Sequence, residues 1–163
     1  MLHSGWGEDL TCLLLEWVPR GSLADLLDDR TRELEWREPL LKLAADAARG
    51  MLYLHSRRYY DEEKGDVASC VLHRDLKPAS IFLTRDGVVK LGGLGVAPSK
   101  SLQSSTTVHM SPCYTSPELF DELPHKAPSD VWSLGCVLYE LLTLRRAFEA
   151  PNMRALMLQV MDA

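Results

Sequence analysis

The stretch that decides the fold reads HRDLKPAS and runs from His73 to Ser80. An aspartate such as Asp75 can accept or orient the proton of an attacking hydroxyl, and Lys77, two residues later, can reach a transferring phosphate and offset its charge. For the tripeptide HRD alone, a surface turn with an Arg–Asp pair is an equally good interpretation. The whole string, placed directly before a predicted hairpin, is far more specific and favours a phosphoryl-transfer loop.

The hairpin follows this loop immediately. Two short apolar runs, residues 81–83 and 88–91, flank Asp86 and Gly87. This dipeptide favours a type I′ turn, in which both central residues need positive φ. We therefore predict two antiparallel strands here.

Helical patterns lie on both sides of the loop. Ser22 can N-cap a short helix that extends through Asp29. Residues 38–56 predict a longer helix, with apolar side chains at helical spacing. That stripe consists of Leu40, Ala44, Ala47, Met51 and Leu54. Residues 130–144 predict a helix that is apolar nearly all round and therefore buried, and residues 152–161 predict a last helix.

Three further segments lack a helical period. Residues 11–17 are apolar and predict a buried strand. Residues 59–69 are polar and acidic, which predicts an exposed loop. Residues 98–117 are rich in Ser, Thr and Pro, and a structureless stretch of that length in a compact domain is usually functional.

Composition excludes several classes of protein. The 163 residues are 46% hydrophobic and 25% charged, as in ordinary globular domains rather than disordered chains. A net charge of −5 without a Lys/Arg stripe argues against a nucleic-acid partner. The longest apolar segment is too short to span a membrane, so we expect no membrane partner. Four cysteines without a C-x-x-C pair, and a start unlike a signal peptide, predict an intracellular, cytoplasmic protein.

The HRDLKPAS string resembles the catalytic loop of protein kinases, and other motifs follow in that family's order. These are the hinge-like LEWV at 15–18, KLGGLG at 90–95 in the D-F-G place, SPE at 116–118 in the A-P-E place, and SDVWSLG at 129–135 at the start of the central helix. Lys77 matches serine/threonine kinases. The polar insertion before His73, the string IFLT and the string RAFEA resemble NIMA-related kinases.

The resemblance implies an α+β protein-kinase-like fold. We expect mainly the helical C-terminal lobe, with the hinge and a short β-hairpin, and no N-terminal lobe. Residues 1–163 would then be a partial protein kinase domain, from the hinge through the central helices. No glycine-rich loop, strand lysine or set of last helices can be placed in the sequence.

The resemblance also assigns roles to individual residues. Asp75 and Lys77 would be catalytic, and the hinge would contact ATP at Glu16 and Val18, with a weak contribution from Ser80. Structural roles are implied for His73, packed beneath the loop, and for Arg74, Glu118 and Asp130. Asp130 would bond to the backbone of the loop, whereas Glu118 would lack its usual arginine partner. Possible phosphosites, whose phosphate could pair with Arg74, are Ser105, Thr106 and Thr107.

Departures from the family pattern concern the magnesium ligands. The family holds its metal ions with the D-F-G aspartate and a loop asparagine, and these positions are Gly93 and Ser80 here. We therefore expect no metal ligands, so that binding of ATP and Mg, the family's cofactors, is in doubt. Leu94 replaces the D-F-G phenylalanine and is expected to pack under the central helix. The remaining histidines show no ligand spacing and are expected to be solvated or packed, namely His3, His55, His109 and His125.

Three functions remain open at this point. The first is a protein serine/threonine kinase family member that acts on a protein substrate or protein partner and that we expect to be catalytically impaired. The alternatives are a non-catalytic, pseudokinase-like interaction module and an incomplete gene-model fragment of an active kinase.

Overall fold

The computed structural model describes residues 14–29, 40–61, 65–94 and 111–163. Helices and hairpins alternate along this part of the chain. The elements are, in order, α1 (Leu23–Asp28), α2 (Leu41–Ser56), β1 (Arg58–Asp61), β2 (Asp66–Ser69), a 3₁₀ turn (Pro78–Ser80), β3 (Ile81–Leu83), β4 (Val89–Leu91), a second 3₁₀ turn (Pro112–Tyr114), α3 (Pro117–Phe120), α4 (Ala127–Thr143) and α5 (Met153–Met161).

Helix α1 begins at the predicted cap. The hydroxyl of Ser22 accepts from the backbone N–H of Asp25 over 3.3 Å, and the Asp25 carboxylate accepts from the N–H of Ser22 over 2.7 Å. This reciprocal capping box satisfies N–H groups that a helix start otherwise leaves unpaired. Leu23, the first helical residue, is buried in the core.

The core lies between α2, α4 and the β3–β4 hairpin. Its buried members are Leu23, Leu40, Leu43, Ala47, Met51, Leu76, Ile81, Leu83, Val137 and Leu141. The predicted stripe of α2 is confirmed at Leu40, Ala47 and Met51, whereas Ala44 and Leu54 are only half-buried and Leu43 is buried as well. Gly50 allows α2 to approach β4 closely, because a Cβ at this position would lie 2.7 Å from Leu91 Cδ1.

The hairpin after the HRDLKPAS loop is confirmed, but its turn is not type I′. Strands β3 and β4 pair antiparallel with Phe82 opposite Lys90. Gly87 has φ +70°, whereas Asp86 is not among the described residues with positive φ. The turn closes through a hydrogen bond from Gly87 N–H to the Thr84 carbonyl, 3.0 Å. A loop with a single left-handed residue matches the three-residue hairpin class, in which only the last position needs glycine.

The expected exposed loop at residues 59–69 is instead a second hairpin. Strand β1 pairs antiparallel with β2, and Tyr60 lies opposite Val67. Tyr60 and Val67 are exposed, and Gly65 adopts φ +64° where the chain returns. The acidic composition of this stretch predicted a loop although it contains β-forming residues. Strand pairing depends on backbone hydrogen bonds, which composition does not report.

The expected buried strand at residues 11–17 is wrong where the structure describes it. Residues 14–18 form no strand, and Leu14, Leu15 and Trp17 are 86%, 76% and 86% exposed. Residues 11–13 lie outside the described residues. Apolar side chains favour a strand only where a neighbouring strand or helix covers them, and no described residue does so here.

Helices α4 and α5 occur where predicted, but α4 is buried on one face only. Asp130, Val137 and Leu141 are buried, whereas Val131 and Leu142 are more than half exposed. The helix packs against α2 and the Pro112–Tyr114 turn, which cover a single face. In α5, which is capped by Asn152, Leu156 and Val160 are buried. Among the helices that the structure describes, none has the length and apolarity needed to cross a bilayer.

The Ser/Thr/Pro-rich stretch is described only at its end. Residues 98–110 lie outside the described residues. Pro112–Tyr114 forms a 3₁₀ turn, and Pro117 begins α3. This end of the stretch is therefore structured, since the Ser133 hydroxyl on α4 donates to the Tyr114 carbonyl over 2.7 Å.

Candidate active site

Asp130 fixes the backbone of the HRDLKPAS loop. Its carboxylate accepts hydrogen bonds from the backbone N–H groups of His73, 2.8 Å, and Arg74, 2.9 Å. Arg74 has φ +70°, a conformation that is strained for an L-residue with a side chain. The fully buried carboxylate thus holds a strained bend at the start of the loop.

Two histidines, predicted only to be solvated or packed, converge on the same carboxylate. His55 Nε2, near the end of α2, lies 2.8 Å from Asp130 Oδ2. His125 Nε2, just before α4, lies 2.9 Å from Asp130 Oδ1. The sequence holds no signal for this cluster, because His55 and Asp130 are 75 residues apart and meet only through the packing of α2 against α4.

The environment of Asp130 keeps it ionised. Burial by itself raises the pKa of this carboxyl, but hydrogen bonds from His125, His55 and the two loop N–H groups outweigh burial, so the pKa lies far below its usual range. Asp130 therefore remains a charged acceptor at neutral pH.

Asp75 and Lys77, the two predicted catalytic residues, are in direct contact. Lys77 Nζ lies 2.7 Å from Asp75 Oδ2 and donates to the Ser111 hydroxyl over 2.9 Å. Both side chains are partly exposed, at 28% for Lys77 and 15% for Asp75. The arrangement places a carboxylate and an ammonium group together at the surface of the loop.

The Ser80 hydroxyl forms hydrogen bonds with the backbone of the loop itself. The hydroxyl lies 2.8 Å from the Asp75 carbonyl and 3.0 Å from the Lys77 carbonyl, and it accepts from the Lys77 N–H over 3.0 Å. A hydroxyl has one proton to donate and two lone pairs, so these contacts leave little capacity for another ligand. Ser80 is also buried, at 4% exposure.

Gly93 lies beside Ser80 and contributes no side chain. Its φ is +77°, and a Cβ added there would lie 3.3 Å from Ser80 Cβ and 3.9 Å from His73 Cε1. Magnesium takes oxygen ligands in near-octahedral geometry, usually a carboxylate with phosphates and water. Ser80 and Gly93 do not fit this requirement, and Asp75 is already paired with Lys77. Across the described ranges, no group of three His, Cys, Asp or Glu residues could hold a metal ion.

Comparison with known proteins matches this loop and its surroundings to one family. The model of the family described as "Protein kinase domain" matches residues 4–163. The chain belongs to the protein kinase family. It is therefore a protein kinase domain, here with small two-stranded sheets and several helices.

Curated relatives place it near the NIMA-related serine/threonine kinases. Serine/threonine-protein kinase Nek8 of Danio rerio is 38% identical over 154 residues, which is 92% of this chain and 20% of the relative. Nek1 of Mus musculus is 33% identical over 92% of this chain and 12% of the relative, and Nek4 of Mus musculus is 32% identical over 96% and 18%. The chain thus spans a fifth or less of the length of these relatives.

The two residues predicted to lie in the hinge, Glu16 and Val18, contact their own surroundings. Glu16 Oε2 lies 3.1 Å from Lys90 Nζ on β4, in an exposed ion pair. The Val18 carbonyl accepts from the Gly21 N–H over 3.4 Å. Contacts of Glu16 and Val18 with ATP remain predictions.

Three further residues of the kinase motifs are placed by the structure. His73 is 2% exposed beneath the loop, and burial lowers the pKa of its imidazole. Glu118, expected to lack its usual arginine partner, accepts from the Ser129 hydroxyl over 2.5 Å. Leu94 is 48% exposed and does not pack under α4, which corrects the expectation. The predicted phosphosites Ser105, Thr106 and Thr107 lie outside the described residues.

Proposed function

We propose that this kinase domain is catalytically impaired and serves as a pseudokinase-like module that binds protein partners. One observation carries the proposal. At the family's two metal-ligand positions, Ser80 directs its hydroxyl into the loop and Gly93 offers no side-chain oxygen. Removal of a single preorganised charge-stabilising group typically costs on the order of a hundredfold to a thousandfold in rate.

The scaffold around the loop supports a binding role. Asp130 holds the loop backbone, and α1, α2 and α4 bury a continuous core. These features depend on packing and hydrogen bonding rather than on a metal ion. We infer that residues 1–163 form part of a kinase domain, from the hinge through the central helices. We also infer that the partners of this protein are proteins and that it is cytoplasmic.

A phosphotransfer assay tests the proposed impairment. The purified chain is incubated with labelled ATP, magnesium and a generic protein substrate, beside Asp75→Asn and an active serine/threonine kinase. We expect wild type and Asp75→Asn to incorporate the same background label, at least about a hundredfold below the active kinase. Incorporation by wild type above Asp75→Asn would overturn the proposal.

A thermal shift separates nucleotide binding from catalysis. The melting temperature is measured with ATP alone and with ATP and magnesium, beside a Glu16→Ala and Val18→Pro double variant. A ligand that binds only the folded state raises the melting temperature. We expect any shift to be unchanged by magnesium, because Ser80 and Gly93 provide no metal ligand. A larger shift with magnesium than without it would contradict this expectation.

A further inference from the structure

The β1–β2 hairpin is fixed at its base, but its sheet stops at two strands. The Cys70 N–H donates to the Arg57 carbonyl over 2.8 Å, and the Val71 N–H donates to the Leu54 carbonyl of α2 over 3.1 Å. These bonds tie the hairpin to a helix of the core. In the described part of the chain, no third strand joins β1 and β2. A two-stranded hairpin is marginally stable by itself in water, and a further strand or a packed helix normally completes it.

The register of the hairpin decides which backbone groups of β1 face outward. Arg57 and Cys70 lie opposite each other and share a direct N–H···O=C bond. Hydrogen-bonded and non-hydrogen-bonded pairs alternate along an antiparallel ladder, so Arg58 and Tyr60 occupy non-hydrogen-bonded positions opposite β2. Their N–H and C=O groups therefore point away from β2, along the outer edge of β1. Such an edge is a template for another extended chain.

A second β1 strand fits this edge. Two antiparallel copies exchange backbone hydrogen bonds only where outward-facing residues meet outward-facing residues. The register centred on Tyr59 satisfies this condition, because Arg58 of each copy lies opposite Tyr60 of the other. Each such pair can form both N–H···O=C bonds, and a cation beside an aromatic ring on the adjacent strand is a favourable neighbour.

The same register makes the edge complementary in charge. Residues 57–61 read Arg-Arg-Tyr-Tyr-Asp, so Arg57 of each copy lies opposite Asp61 of the other. Arg57 extends the strand, since its backbone has φ −78° and ψ 142°. Opposite charges placed directly across two strands stabilise their pairing, whereas like charges destabilise it.

The side chains described at this edge are accessible. Arg57 and Arg58 are exposed, and Tyr60 is 63% exposed. The Arg57 guanidinium lies 4.0 Å from the centre of the Tyr53 ring. This contact orients the cation without neutralising it, so its charge remains available to a carboxylate.

We propose that two copies of this chain associate through their β1 edges in the register centred on Tyr59, which joins the two hairpins into one four-stranded sheet. The interface is isologous, so each contact between Arg57 and Asp61 occurs twice. Charge complementarity identifies a second copy as the occupant. The inference goes beyond the proposed function and does not rest on it, because the edge is remote in sequence from Ser80 and Gly93 and needs no nucleotide.

Sedimentation velocity of the purified chain over a wide range of concentrations tests the association. We expect the dimer fraction to rise with concentration. Arg57→Glu and Asp61→Arg should each raise the dimer dissociation constant about tenfold, because two symmetric pairs change from opposite to like charges. The double variant Arg57→Glu with Asp61→Arg should restore the wild-type value, since the charges are exchanged.

Two features of the design separate the interface from the hairpin. Asp61 lies opposite Asp66 within the hairpin, so Asp61→Arg replaces a pair of like charges there and does not weaken β1–β2 pairing. Arg145→Glu is the control for net charge, because Arg145 is exposed and lies outside the hairpin, and it should leave the dissociation constant unchanged.

Amide hydrogen exchange in the wild-type chain gives a second measurement that needs no variant. The N–H groups of Arg58 and Tyr60 should exchange more slowly as concentration rises, and this result decides the question where a variant does not fold. Monomers at every concentration would leave the edge to a different partner and overturn the inference. Single variants that dimerise like wild type, a folded double variant that stays monomeric, or exchange of these amides independent of concentration would each overturn it as well.

Discussion

The Ser80 hydroxyl lies 2.8 Å from the backbone carbonyl of Asp75 and links the end of the candidate catalytic loop to its central residues. The same hydroxyl accepts from the N–H of Lys77. One side chain that cannot serve as a strong metal ligand therefore stabilises the loop that presents Asp75 and Lys77. The hydrogen bonds of the Ser80 hydroxyl therefore both fix the loop geometry and leave this position without a metal ligand.

Ser80→Ala is expected to destabilise the fold. The substitution removes a buried hydroxyl and leaves the Lys77 N–H without this acceptor, which typically costs about 1–3 kcal/mol in the free energy of unfolding. Urea denaturation followed by circular dichroism measures the change. Ser56→Ala is the control, because its hydroxyl donates to the Tyr53 carbonyl on the exposed side of α2, and a loss of about 0.5 kcal/mol is expected there. Equal losses in the two variants would contradict the assigned role of Ser80.

Gly93→Ala is expected to cost more than Gly87→Ala. Gly93 and Gly87 both have positive φ, +77° and +70°. Alanine at either position therefore adds a similar backbone strain of about 1–2 kcal/mol to the folded state. At Gly93 the added Cβ also lies 3.3 Å from Ser80 Cβ, whereas at Gly87 no described atom lies within 4 Å. We expect an extra loss of about 1 kcal/mol in unfolding free energy for Gly93→Ala. Indistinguishable denaturation midpoints would show that the contact with Ser80 carries no cost.

Asp130→Asn is expected to be the most damaging of these changes. The Asp130 carboxylate accepts four hydrogen bonds, and each hydrogen bond to a charged group contributes about 1.5–3 kcal/mol to the free energy of unfolding. Asp46→Asn provides the comparison, because Asp46 pairs with Lys42 and Arg49 at the surface of α2, where such pairs contribute about 0–1 kcal/mol. Urea denaturation at neutral pH ranks the two variants. A loss in Asp130→Asn no larger than in Asp46→Asn would refute a bracing role for the buried carboxylate.

His73 is expected to make stability fall on acidification. Burial lowers the pKa of its imidazole in the folded state, so below the ordinary histidine value of about 6.5 the unfolded chain binds the extra proton first. The stabilisation is present above that pH and is lost as the pH falls through the lower, folded-state pKa. Unfolding free energies measured from about pH 7.5 to about pH 5.5 should therefore fall more steeply in wild type than in His73→Phe. Parallel pH profiles would show that His73 does not titrate on unfolding.

Tyr114→Phe is expected to destabilise the packing of the Pro112–Tyr114 turn against α4. The variant loses the hydroxyl that donates to Glu140 over 2.6 Å and leaves a covered carboxylate without that donor. A hydrogen bond to a charged group contributes about 1.5–3 kcal/mol, which sets the expected loss in unfolding free energy. Tyr139→Phe on α4 is the matched control, since Tyr139 is 47% exposed, and little change is expected. Equal stability of the two variants would mean that the bond to Glu140 contributes nothing.

Local sequence patterns predicted the elements that depend on neighbours along the chain. The Ser22 cap, the stripe of α2 and the hairpin around Gly87 need only side chains within a few residues of one another. The patterns failed where distant contacts decide. Residues 14–17 are apolar but uncovered in the described part of the chain, and the acidic stretch at residues 59–69 forms strands because its backbone finds a partner.

The HRDLKPAS string and its companion motifs by themselves indicated the family, because several motifs in one fixed order are far more specific than any one of them alone. They also showed that Ser80 and Gly93 replace the two metal-ligand residues of the family, since the residue type at each position is read directly from the sequence. Only the tertiary structure decided what surrounds them. The convergence of His55 and His125 on Asp130, the close approach of Gly93 to Ser80 and the hydrogen bond from Tyr114 to Glu140 join residues from separate parts of the chain. Hydrogen bonds and charge contacts act over a few ångströms of space, and distance along the chain does not report them.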